Sequence, residues 1–212
     1  FDDILLEEVS KRKVPCVILD KSLDEGEDFP LVAGDNWTGG KLVAEYFYKM
    51  GHRKLACITG PENTPNSTSR LTGFLETLSH YGIQVEDNHI LAGDYSLDGG
   101  YHCGKKLMGE DITGIFAFND LSAIGCMKAA KECGRQVPRD LSIIGYDNIS
   151  MSNYTQPKLT TIDQGIDKIA MDAVEKLIKL IDDEAIERVS LIEPSLKLGE
   201  TVLDLNKNRS GE

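Results

Sequence analysis

Apolar positions in this chain fall in short β-branched runs, separated by longer stretches where they recur every third or fourth residue. That is the pattern of strands alternating with helices. A helix is predicted over residues 1–13, with Ile4, Leu5 and Val9 on one face, followed by a strand over 14–19 that ends in Asp20. After a charged loop at 21–28, Leu31-Val32-Ala33 reads as a strand, and Asp35-Asn36 caps a helix that runs to Met50 and closes at Gly51. Further strands are expected at 55–58, 89–91, 114–118, 141–144, 159–162, 189–192 and 196–198, and further helices at 69–81, 97–108, 121–133 and 166–181. Short strands joined by helices of about ten to fifteen residues point to βαβ units and a mostly parallel sheet, an α/β fold.

The chain has 212 residues, enough for one domain or two small lobes, and it contains no long apolar run that would span a membrane. Its net charge of −12 repels phosphate backbones, so these residues are poor candidates for direct nucleic-acid contact. The five cysteines form no C-x-x-C pair and sit mostly in apolar surroundings. Buried reduced thiols are expected, and a cytoplasmic setting with them, rather than disulfides or a metal site.

Chemistry collects where the strands end. Asp20 follows Val17-Ile18-Leu19; Asn63, Asn66 and Arg70 follow Cys57-Ile58; Asp94 and Tyr95 follow Ile90-Leu91; Asn119 and Asp120 follow Ile115-Phe116-Ala117-Phe118; and Asp147 follows Ile143-Ile144. In an open α/β sheet ligands bind beyond the carboxyl ends of the strands, so these groups are expected along one edge. Carboxylates accept from hydroxyls, Asn both donates and accepts, Arg forks to two oxygens, and an aromatic ring offers an apolar face. This set suits a polyhydroxylated, uncharged ligand such as a sugar, and it lacks the basic cluster a phosphate would need.

Enzyme templates fit badly. There is no G-x-S-x-G, H-E-x-x-H or G-x-G-x-x-G. Gly99 to Lys105 matches part of a phosphate-loop pattern, yet Lys106 occupies the hydroxyl position and the run reads as helix interior. His52, His80, His89 and His102 share no ligand spacing and read as surface histidines. No catalytic residue, metal ligand or cofactor is assigned.

Taken in order, several motifs resemble the effector-binding core of the lactose-repressor/galactose-repressor family of bacterial transcription regulators. They are Asp35-Asn36 with Gly39-Gly40, Gly51-His52-Arg53-Lys54, Arg70-Leu71-Thr72-Gly73-Phe74, Phe118-Asn119-Asp120, the run from Val137 to Asp147, and Pro157-Lys158-Leu159-Thr160-Thr161-Ile162. The resemblance covers residues 14–201 and is nearest to the ribose-repressor-like branch. It implies two Rossmann-like lobes with parallel sheets joined by crossover strands, of the type I periplasmic-binding-protein kind, with a sugar in the cleft. One lobe would comprise 1–34 plus 165–192 and be incomplete. The other would comprise 35–164 plus 193–205, with 206–212 as a tail.

Matched motif by motif, Asp147, Arg70, Asn119, Asp20 and Gln164 fall at effector-contacting positions, with Asn66 in a loop of variable length. Tyr95 falls where an aromatic sugar platform often lies, and it reads equally well as a packed rim residue. Gln164 reads equally as the opening of the long helix, and Ile166 stands where some members place an aromatic contact. The implied protein is a cytoplasmic, homodimeric, sugar-responsive repressor that meets operator DNA through an amino-terminal helix-turn-helix domain absent from this sequence. The alternative is a periplasmic sugar-binding protein of a transport system, which shares the fold. The unpaired cysteines and the Val137-to-Asp147 motif favour regulation.

Overall fold

The computed structural model describes residues 3–20 and 29–207. The expected charged loop at 21–28, the first two residues and the last five lie outside the described residues. The chain divides into a small unit, 1–34 with 165–192, and a large unit, 35–164 with 193–212.

The small unit holds α1 (Asp3–Lys11), β1 (Ile18–Leu19), β2 (Leu31–Gly34), α6 (Ile166–Ile181) and β8 (Val189–Ile192), with a parallel sheet in the order β1-β2-β8. Alternation along β2 sends Leu31 and Ala33 to a cluster with Leu6 and Ile18, while Val32 meets Ile169 and Ala173 of α6. The core contact of α1 is thus Leu6, whereas Leu5, predicted on the inner face, is exposed. The strand expected from residue 14 shortens to two residues, and Pro15, which has no N–H for a ladder, lies in the lost part. Lys176 is buried on α6, where its stem packs and its Nζ donates to the Glu187 carbonyl at 2.6 Å.

The large unit holds α2 (Asn36–Lys49), β3 (Leu55–Thr59), α3 (Pro65–His80), β4 (Ile90–Ala92), α4 (Leu97–Leu107), β5 (Gly114–Ala117), α5 (Asp120–Glu132), β6 (Ser142–Tyr146), β7 (Thr160–Asp163) and β9 (Ser195–Lys197). Its sheet runs β4-β3-β5-β6-β7-β9, with the first five strands parallel and β9 antiparallel to β7. Side chains alternate strictly between two buried faces. Leu55, Cys57, Phe116, Ile144 and Tyr146 join Phe47 of α2 and Phe74 and Leu78 of α3; Ala56, Ile58, Ile115, Ala117 and Ile143 join Leu107 of α4 and Ala123 and Cys126 of α5. A parallel strand covered by helices on both faces must be apolar throughout, and all residues of β3, β5 and β6 are buried.

Each helical layer closes through glycines. A Cβ on Gly40 of α2 would lie 2.1 Å from the Arg70 carbonyl oxygen, and one on Gly73 of α3 would lie 2.0 Å from that of Trp37. On the other face, a Cβ on Gly125 of α5 would lie 2.0 Å from the Leu97 carbonyl oxygen, and one on Gly100 of α4 would lie 2.3 Å from Ser122. Backbone therefore meets backbone in both helix pairs.

Two boundaries differ from the sequence expectation in ways that matter. α3 begins at Pro65, four residues early, because proline at the first helical position has φ already set and no N–H to lose. Arg70 accordingly sits in the second turn rather than the first. β6 extends through Tyr146, whose ring is fully buried, so Asp147 leaves the strand directly.

The histidine expectation is corrected at two positions, since His52 and His89 are buried. His52 Nε2 lies 3.0 Å from the Leu203 carbonyl, which can only accept, so the ring proton belongs on Nε2 and Nδ1 faces the Thr113 hydroxyl at 2.9 Å. Burial lowers its pKa to about 4. Cys57, Cys103 and Cys126 are buried free thiols, Cys16 is half-buried, and Cys133 is exposed, against expectation. Burial pushes the Cys126 thiol up to about 12. Among the described residues no cluster of three or more His, Cys, Asp or Glu side chains could hold a metal ion, and no helix is long and apolar enough to cross a membrane.

Two outcomes are expected. Gly73→Ala and Gly125→Ala should each lower the unfolding free energy by about 1–3 kcal/mol in urea titrations, because a methyl must displace a carbonyl on the facing helix. His52 has a depressed pKa in the fold, so its contribution is present above the unfolded value near 6.5 and is lost as pH falls toward 4. The stability advantage of wild type over His52→Asn should therefore shrink by roughly 2–3 kcal/mol between pH 7 and pH 4. A constant difference across that range would contradict the assignment.

Candidate functional site

The carboxyl edge of the large unit's sheet is where five parallel strands deliver their exits. Tyr95 follows β4, Asn119 follows β5, Asp147 follows β6 and Gln164 follows β7. Arg70 reaches the same edge from α3 and is only 4% exposed.

Burying a guanidinium demands partners on every side. Arg70 Nε donates to Asn36 Oδ1 at 2.7 Å, Nη1 donates to the Phe118 carbonyl, and Nη2 lies 4.0 Å from Asp147 Oδ1. Its Cζ stands 3.6 Å from the centroid of the Tyr146 ring, a cation–π contact worth about 2 kcal/mol when desolvated. Gly39 allows this stack, because a Cβ there would lie 2.3 Å from the Tyr146 hydroxyl oxygen.

Asp147 accepts from Gln164 Nε2 at 3.1 Å on the same Oδ1 that faces Arg70. Its φ is +107° and that of Asn148 is +54°, so the chain leaves β6 through two consecutive residues in a region that side chains rarely adopt. Gln164 is buried and precedes α6, whose cap is Gly165. It does not open the helix; its amide faces Asp147. Gln164 Oε1 is buried and has no hydrogen-bond partner among the described residues, an acceptor held at the edge of the site.

Asn119 has a structural occupation. Its Oδ1 accepts from the Ser122 N–H at 2.9 Å as the cap of α5, and its Nδ2 donates to the Tyr95 carbonyl at 2.7 Å. That bond holds Tyr95, whose φ is +64° and whose half-buried ring covers Gly60 so closely that a Cβ there would lie 2.1 Å from Cζ. Tyr95 thus both packs on the core and presents ring surface at the edge. Asn66 is the second residue of α3 and is half-buried. Asp20 belongs to the small unit, where it leaves β1 exposed and with φ +51°.

Asp35 and Asn36 divide their labour. Asp35 is the cap of α2, accepting from the Thr38 N–H at 2.9 Å and the Thr38 hydroxyl at 2.6 Å, whereas Asn36 is buried against Arg70. Sequence reasoning took the pair as a cap and missed Asn36; the cue was an amide directly after a carboxylate that already completes the cap. It also counted Asp120 among the ligand-facing groups of this edge, whereas the side chain is fully buried and accepts from the Thr161 hydroxyl at 2.5 Å and the Ile149 N–H at 2.9 Å. Burial, opposed by these hydrogen bonds and reinforced by the charge of Asp147, raises the Asp120 pKa to about 7.

A carboxylate, a guanidinium, a primary amide with an open acceptor and a tyrosine ring thus share one edge of the sheet. This combination can accept from and donate to several hydroxyls at once, with Arg70 as the one full positive charge in the group.

Comparison with known proteins agrees with this architecture. Residues 44–202 match the family described as the periplasmic binding protein-like domain. The HTH-type transcriptional repressor PurR of Salmonella paratyphi B is 32% identical over 196 residues, which make up 91% of this chain and 58% of that protein. The chain thus spans a little over half the length of the curated relatives it matches. A LacI-family transcriptional regulator from Enterococcus faecium, solved with bound ribose, superposes with a TM-score of 0.86 at 32% identity, covering 97% of this chain and 76% of that one. A transcription regulator from Lactobacillus plantarum superposes with a TM-score of 0.90 at 26% identity, covering 97% and 78%. The chain belongs to the periplasmic-binding-protein-like domain family, in the form of the effector-binding core of the LacI-family transcriptional regulators.

Proposed function

We propose that this chain is the sensory core of a cytoplasmic transcriptional repressor and that it binds a small sugar, ribose or a close relative, over the carboxyl edge of the large unit's sheet. The observation that carries the reading is the Arg70–Asp147–Gln164 cluster: a buried cation, a partly exposed carboxylate 4.0 Å away, and an amide with an open acceptor. Vicinal hydroxyls satisfy such a set, since each can donate to Asp147 or Gln164 Oε1 while accepting from Arg70. Tyr95 supplies the apolar surface on which the C–H face of a sugar packs. The ribose-bound relative supports the ligand class. Asn66, Asn119 and Asp20 are further candidate contacts; the amide of Asn119 would act with the capacity left over from its cap.

In this reading no bond is made or broken. The effector binds one arrangement of the protein better than another, and only that difference in affinity biases a homodimer toward or away from its operator. Contact with DNA would belong to an amino-terminal helix-turn-helix domain, because a net charge of −12 suits this core poorly to a phosphate backbone. The relatives that the chain matches are named as repressors and regulators, which supports this over a role in transport.

Calorimetry and thermal shift with ribose, other pentoses, hexoses, disaccharides and nucleosides test the proposal. Saturable binding of a sugar is expected, and no response to any of them from folded protein would overturn the ligand class. Arg70→Ala and Asp147→Ala should each cost about 2–5 kcal/mol of binding free energy, the penalty for removing one partner of a buried charged hydrogen bond. That corresponds to a loss of about 30-fold or more in Kd. Unchanged affinity in both variants would remove the site from this edge.

A further inference from the structure

Among the described residues Asp120 is the one fully buried carboxylate in the large unit's core, and ligand contact does not explain it. It opens α5, yet its side chain turns away from its own helix and toward the two strands beyond β5. Oδ1 accepts from the Thr161 hydroxyl of β7 at 2.5 Å, and Oδ2 accepts from the Ile149 N–H in the loop after β6 at 2.9 Å. Thr161 Oγ1 in turn lies 3.3 Å from the Asn148 N–H, which donates to it. Gly145 of β6 makes room, since a Cβ there would lie 2.3 Å from Asp120 Oδ1.

The segment clamped in this way, Asp147 to Ile149, is the one that leaves β6 with positive φ at two consecutive residues. Such backbone persists only where its surroundings over-determine it. The clamped strand β7 is the one that ends one residue before Gln164. One carboxylate therefore grips the carriers of the two side chains that meet at 3.1 Å in the candidate site.

We propose that Asp120 is the positioning residue of this site: it ties the Asp147 loop to β7 and thereby sets the geometry in which Asp147 and Gln164 meet the effector. This rests on the sugar-binding reading for its consequence, though the tether itself is a property of the unliganded protein. In the ionised form both oxygens accept; a carboxyl protonated on Oδ1 keeps both partners too, because the Thr161 hydroxyl accepts as well as donates, so the tether holds in either state. Of the groups on the elements packed against it, Asp147 is the ionisable neighbour that acts on it, and its like charge opposes ionisation. Burial acts in the same direction, so the carboxyl titrates near neutrality.

Two measurements test this, with D-ribose as the probe in the second. In the unliganded protein, the Asn148 and Ile149 amide resonances should titrate together with the Asp120 carboxyl carbon, and the midpoint should fall in Asp147→Asn, where the like charge is gone. Thr161→Val, which keeps shape and loses the hydroxyl, should weaken ribose binding tenfold or more, with rescue to within about threefold by Thr161→Ser. Equal affinity of the Val and Ser variants, or amides that ignore the Asp120 titration, would overturn the proposal. Failure of wild type to bind any sugar would overturn the effector reading instead, and the amide titration would still decide the tether.

Discussion

A guanidinium held almost out of solvent is the constraint around which the large unit's carboxyl edge is organised. Left alone, such a charge would cost several kcal/mol, and each neighbour of Arg70 answers part of that demand. Asn36 from α2, the Phe118 carbonyl beyond β5, the Tyr146 ring and Asp147 surround it. These groups come from three different elements, and Arg70 itself from a fourth. Charge compensation at one side chain therefore fixes the mutual placement of α2, α3, β5 and β6 where a ligand would meet them.

That placement is possible because the helices come close. Gly40 and Gly73 let α2 and α3 touch backbone to backbone, which brings Asn36 within reach of Arg70. The equivalent contact of α4 with α5 through Gly100 and Gly125 presses the start of α5 against the loop before α4, where Asn119 clamps the Tyr95 carbonyl. Packing and site are one construction here: the glycines are on the helices, and their effect is felt at the strand ends. The positive φ values of Tyr95, Asp147 and Asn148 are local costs that this surrounding rigidity sustains.

Two buried groups away from Arg70, His52 and Asp120, differ in character. His52 is neutral and bridges Thr113 to Leu203, fastening the carboxy-terminal segment to the sheet's amino end. Asp120 sits at the opposite end of the strands with a proton affinity raised toward neutrality. Their shifts run in opposite senses with pH: burial of His52 favours folding as pH rises, and burial of Asp120 favours folding as pH falls. The large unit therefore carries a buried group with a shifted pKa at each end of its sheet.

Sequence alone determined the alternation of strands and helices, the parallel sheet and the row of polar residues at strand exits. These follow from local periodicity and from the need of a doubly covered strand to be apolar throughout, as β3, β5 and β6 are. Arg70 and Asp147 could be singled out because each stands next to a recognisable boundary, whereas Gln164 was singled out only by the family resemblance. Tertiary structure decided which of these residues meet and which serve the frame. Asn119 spends its amide on a cap and on Tyr95, Asn36 leaves capping to Asp35 and turns to Arg70, and Asp120 turns inward to join Thr161 and Ile149. No pattern of spacing encodes those choices, because Asn36 and Arg70 are 34 positions apart, and Asp120 and Thr161 are 41 apart. Such contacts exist only once the sheet has brought the strand ends together, and the cost of burying a charge or an amide then selects its partner.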